Sequence, residues 1–141
     1  RKSSMKKICG MEIKGSEVRF VILHGTKKGF EVLDIKPSKI ALEDDEINAE
    51  VKNFQAEVFS FFRKYLPDTI VIKKRNKKGQ MSGGSVGFKI EGLIQLYEGS
   101  EVKLISPQTI STNIKKNMPA VPDKLNKYQQ VAFETAYTAL E

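Results

Sequence analysis

One cysteine and one histidine are all that these 141 residues offer of the side chains most often found at zinc sites and nucleophilic centres. A lone Cys9 excludes a disulfide framework and a cysteine-based zinc finger. A lone His24 excludes a histidine-rich metal site and argues against a Ser-His or Cys-His catalytic pair. No apolar run approaches the roughly 18–20 residues that a membrane span needs, and no signal-peptide pattern opens the chain. We therefore expect a cytoplasmic protein with no membrane partner. Neither Cys9 nor His24 carries a partner pattern: Cys9 reads as a small core hydrophobe and His24 as a turn residue.

What is present is an ordinary globular mixture, 40% hydrophobic and 29% charged, of a length that suits one domain. Arg1-Lys2-Ser3-Ser4 ahead of Met5 read as an expression remnant, which leaves residues 5–141 as the expected domain. The formal charge is +7, and Arg1 and Lys2 account for two of it. The remaining five positive charges equal those of one segment, Lys73-Lys74-Arg75-Asn76-Lys77-Lys78, so the rest of the chain sums to zero. Basicity is local here.

Residues 6–35 carry the period of two of an antiparallel meander, over 7–13, 17–23 and 30–35, with turns at Gly15 and Gly29. A helix is expected from the four acids Glu43 to Glu46 onward, where carboxylates favour the positive end of the dipole. Ile47, Val51, Phe54, Val58, Phe61, Phe62 and Tyr65 give it one apolar side. Residues 69–73 read as a β-branched strand, and helix between strands implies a crossover packed on the sheet. A second helix starts near Ser85 as N-cap, a strand follows over 102–106, and a short helix over 109–116. A last helix spans about 124–141, with Asp123 before it as a cap.

The order βββ-α-β-α-β-α resembles the ribonuclease H-like fold, which implies an α/β domain with a five-stranded mixed sheet and helices on both faces. Local stretches are similar to its RuvC-like branch, the Holliday-junction resolvases and their relatives. Ile8-Cys9-Gly10-Met11-Glu12-Ile13-Lys14-Gly15 resembles that branch's first strand, Asp68-Thr69-Ile70-Val71-Ile72 its fourth, and Val102 to Pro107 its fifth. The chain also resembles a small bacterial family of unknown function.

Such nucleases use two divalent metals held by three or four converging carboxylates. By this resemblance Glu12 takes the first-strand acid position. Lys73 falls where the fourth-strand acid belongs, and a cation there opposes a dication. On the last helix Glu134 stands for one acid and Tyr137 for the other. The catalytic set Glu12, Lys73, Glu134 and Tyr137 therefore reads as degenerate, with Glu12 and Glu134 the only carboxylates left to touch metal. Glu91 on the second helix is a candidate substitute. The bland alternative is an ion pair between Glu12 and Lys73 across adjacent strands.

The glycine-rich stretch 79–84 precedes a helix, a context that suits phosphate, but it is neither a Walker A nor a dinucleotide fingerprint. We read it as a loop. The basic residues Lys73, Lys74, Arg75, Lys77 and Lys78, with Lys89, form a candidate nucleic-acid surface of weak sequence specificity, since lysines neutralise phosphates without reading bases. The expected function is a ribonuclease H-like domain without two-metal nuclease activity that binds nucleic acid through a basic loop. The alternatives are a metal-dependent nuclease or resolvase with relocated carboxylates, and a protein-interaction scaffold. No cofactor is expected, with Mg2+ or Mn2+ entering only under the nuclease alternative, and a homodimer is left open.

Overall fold

Apolar residues on both sides of one strand dictate a sheet covered on both faces. In β2 (Glu17–Thr26), Val18, Phe20 and Ile22 point one way and Val21 and Leu23 the other, and all five are buried. The computed structural model describes residues 5–75 and 84–141. Its strands run in the order β3–β2–β1–β5–β6, with β1 (Lys6–Lys14), β2 and β3 (Gly29–Val32) antiparallel, and β1, β5 (Thr69–Lys73) and β6 (Glu101–Ile105) parallel. A short β4 (Lys39–Ala41) pairs with the start of β2, so the sheet has six strands where five were expected. Three residues are too few to show a period, and only the burial of Ile40 anchors them.

Helices α1 (Asn48–Tyr65) and α2 (Ser85–Gln95) cover one face of the sheet. Phe20 is the centre of that layer, stacked on Phe61 at 4.2 Å between ring centroids and edge-on to Phe62 at 6.3 Å. The other face carries α4 (Gln130–Ala139), over Ile8, Val21, Leu23 and Val71. Helix α3 (Pro107–Asn117) packs beside α4, held at its start by the Ser106 hydroxyl, which accepts the Thr109 N–H at 3.1 Å. The ribonuclease H-like order of elements, mixed sheet and two helical layers are all present.

Several boundaries shift for local reasons. The acids 43–46 lie before α1, not in it: the Asp44 carboxylate accepts the Glu46 N–H at 3.0 Å, and this local turn displaces the helix start to Asn48. Gly84, not Ser85, holds the N-cap position of α2. His24 is a strand residue of β2, opposite Lys7 and Glu31. The last helix is entered through a single 3-10 turn (Lys127–Gln129) instead of a cap at Asp123; there the Asn126 N–H donates to Gln129 Oε1 at 2.9 Å.

Helix α4 sits close because β1 has no side chain where they cross. A Cβ at Gly10 would overlap the Ala132 carbonyl and lie 2.5 Å from the Ala136 amide nitrogen. The neighbouring Cys9 points to the opposite layer and is fully buried, and burial pushes its thiol far above the ordinary range. Cys9 should resist alkylation in the native protein and react only as the protein unfolds. Rapid labelling at neutral pH without denaturant would contradict this packing.

Candidate functional site

The hairpin between β1 and β2 sets the geometry. Gly15, at φ 61°, makes the two-residue turn with Ser16, so Lys14 faces Glu17 and Glu12 faces Arg19. Arg19 in turn faces Lys39 of β4, and the parallel pairing of Met11 with Ile72 brings Lys73 alongside Glu12. Strand alternation puts these residues on the α4 face. The row reads Lys39, Arg19, Glu12, Lys73: one carboxylate among three cations.

Glu12 makes its ion pair with Arg19, Nη1 to Oε1 3.6 Å, and not with Lys73 as expected. Arg19 also donates from Nε to Glu17 Oε2 at 2.8 Å. Its guanidinium carbon lies 5.6 Å from the centre of the Tyr128 ring, and Lys39 Nζ lies 4.6 Å from the same ring. The hairpin register sets Arg19 directly opposite Glu12, and Arg19 is the partner the carboxylate takes. Among the described residues Lys73, half-buried, has no ion pair and no side-chain hydrogen bond.

The other expected metal ligands do not join Glu12. Contact of Ala132 and Ala136 with Gly10 fixes the face that α4 turns to the sheet. Glu134 lies on a different side, where its carboxylate accepts from Gln130 Nε2 at 3.2 Å. Tyr137 lies toward the far end of the strands, 5.8 Å from the Phe30 ring and 5.7 Å from Lys27 Nζ. Glu91 is buried on α2, which belongs to the opposite face of the sheet. Among the described residues no three Asp, Glu, His or Cys side chains are grouped to hold a metal ion. The side chains around Glu12 do not suit a pair of divalent cations: the carboxylate is engaged by arginine, and a lysine stands next to it.

The basic surface resolves into different roles. Lys74 is exposed, its backbone tied to the Ile105 carbonyl at 2.8 Å. Arg75 turns inward: Nη1 donates to the Ile13 carbonyl, and the guanidinium lies against Gly87 and 5.7 Å from the Phe88 ring. It fastens the end of β5 to β1 and to the first turn of α2. Lys89 is held by Asp45, 3.0 Å to Oδ2 and 2.8 Å to the carbonyl. Lys77, Lys78 and the glycine-rich stretch up to residue 83 lie outside the described residues.

Arg19 and Lys39 were not singled out from the sequence, and Tyr128 was read there only as part of the buried side of the last helix. The signal for Arg19 was available: a two-residue turn at Gly15-Ser16 fixes the register, and counting back from it sets residue 19 opposite residue 12. Nothing local marks Lys39 or Tyr128, which arrive from a three-residue strand and a 3-10 turn.

The model of a family described as "Protein of unknown function (DUF3010)" matches residues 5–139. No curated protein matches the sequence. Among solved structures the chain is similar to Thermus thermophilus RuvC, with TM-score 0.71 and 12% identity over 94% of this chain and 92% of that one. It is also similar to T. thermophilus RuvC in complex with Holliday junction substrate, at TM-score 0.67 and 10% identity over 94% and 91%. A third similar structure is the fowlpox virus resolvase with substrate Holliday junction DNA, at TM-score 0.52 and 19% identity over 95% and 93%. These likenesses show that the chain has the fold of RuvC, a ribonuclease H-like arrangement.

Proposed function

We propose that this chain, which belongs to the DUF3010 family of proteins of unknown function, binds nucleic acid without cutting it. One observation carries the loss of cutting: the acid of the first strand is ion-paired to Arg19 and flanked by Lys73, where a two-metal nuclease needs further carboxylates. Binding is supported by two features. The charge excess of the chain is concentrated at residues 73–78, at the carboxyl end of a central strand. The similar RuvC and fowlpox resolvase structures hold Holliday junction DNA. Binding of this kind is electrostatic, weakly sequence-specific and independent of added metal.

The test uses linear and branched DNA and RNA at 50 mM salt, with Mg2+, with Mn2+ or with EDTA. The expected result is a shifted, uncut substrate in all three conditions. Metal-dependent cleavage that disappears in Glu12→Gln would establish the relocated-carboxylate nuclease instead. Absence of binding to every substrate would leave the interaction-scaffold reading.

A further inference from the structure

We propose that the row beside α4 seats one phosphate group of a nucleic-acid backbone on Lys73, in place of a metal ion; this rests on the nucleic-acid reading above. Lys73 is half-buried as a residue, an environment in which a lysine packs its stem against the protein and keeps its ammonium available to an anion. No carboxylate lies within ion-pairing distance of it among the described residues, although Glu12 stands in the neighbouring strand. Glu12 is drawn to the other side by Arg19. Arg19 is oriented by two carboxylates, Glu12 and Glu17, and backed by the Tyr128 ring.

Glu12 thus sits between a committed guanidinium and an uncommitted ammonium. An anion arriving at Lys73 meets two cations separated by one strand, since Glu12 alone stands between them in the row. The start of α4 adds its positive end nearby: Tyr128 contacts Arg19, and Gln129 Nε2 donates to the Phe20 carbonyl at 2.8 Å. Lys39, across Tyr128, adds a further positive charge at the edge. A dication held by carboxylates and a lysine beside an arginine serve the same electrostatic end, attraction of phosphate, but only the dication activates water. The row is therefore a binding element and not a catalytic one. Glu12 acts as a positioning residue, holding Arg19 and repelling phosphate from the middle of the row.

The experiment compares wild type, Lys73→Gln and Lys73→Arg for nucleic-acid binding in EDTA across a salt series. Loss of one phosphate contact should lower the slope of log affinity against log salt by about 0.9 and weaken binding roughly tenfold at 50 mM salt in Lys73→Gln. Lys73→Arg should restore the slope. Unaltered thermal unfolding in both variants separates this from a folding defect. A wild-type slope in Lys73→Gln overturns the phosphate seat and leaves the nucleic-acid reading standing. If wild type binds no nucleic acid, the seat falls together with that reading; if Lys73→Gln does not fold, inorganic phosphate is titrated into wild type and followed by NMR. Shifts centred on the amides of Glu12, Arg19 and Lys73 keep the seat, and their absence overturns it.

Discussion

An alanine at position 10 should destabilise the protein by about 3 kcal/mol or more, since the new methyl meets backbone that has no rotamer to change. The midpoint of thermal unfolding should fall on the order of 10 °C for a chain of this length. The cause is geometric. The Cβ would overlap the Ala132 carbonyl and lie 2.6 Å from the Ala136 Cβ, so α4 must lift off β1. Gly92 is the control, because a Cβ there meets nothing within 4 Å on an exposed position inside α2. Gly92→Ala should leave stability unchanged or raise it by about 0.5–1 kcal/mol. Thermal melts by circular dichroism distinguish the two, and alkylation of Cys9, on the opposite face of the sheet, follows the loss of global stability independently. Equal melting of both variants would contradict the close crossing of α4 over Gly10.

The same crossing explains how far the sequence could be read. The meander, the long helix and the two parallel strands announce themselves through periods of 2 and 3.6, because each is buried along a continuous face. β4 does not, since pairing with β2 depends on where residues 33–38 carry the chain, and no short window records that. In the last helix the apolar positions were legible, yet the phase against the sheet was not. Glu134 and Tyr137 sit at a spacing that suits two ligands on one helix face. Only the contact of Ala132 and Ala136 with Gly10 shows that this face is not the one turned to Glu12. Small residues at i and i+4 facing a strand glycine were the available clue.

Charge removal from the basic segment should have the largest effect on binding. Lys74, Lys77 and Lys78 are replaced together with glutamine, and Arg75 is left in place because it fastens β5 to β1 and α2. If each of the three lysines neutralises one phosphate, the salt slope of the variant should be shallower by about 2.7. Between 50 and 200 mM salt that difference amounts to about 40-fold in affinity. The loss should be alike for all sequences, since these contacts read no bases. Stability should change by less than about 1 kcal/mol, since Lys74 is exposed and makes no side-chain bond among the described residues. Fluorescence anisotropy with two unrelated oligonucleotides across the salt series measures both quantities. An unchanged slope would move the interface away from this segment.

The candidate site was legible in parts, for separable reasons. Glu12 and Lys73 follow from strand order and were placed on the right strands by sequence alone. Their relation was not, because the carboxylate goes to its antiparallel partner Arg19 at 3.6 Å, a choice set by the hairpin turn and not by the type of residue on the next strand. Arg75 was read as one more phosphate contact within a run of cations. Its inward turn depends on the missing side chain of Gly87, which leaves room for a guanidinium against the helix.

Metal binding at Glu12 is the most direct test of the proposed loss of cutting. Mn2+ is titrated into the isotope-labelled protein, and paramagnetic broadening is followed at the amides of Glu12, Arg19, Lys73 and Glu134. The account predicts no selective broadening at Glu12 or Lys73, and the same profile in Glu12→Gln. Selective broadening centred on Glu12 at micromolar Mn2+, abolished in Glu12→Gln, would contradict it.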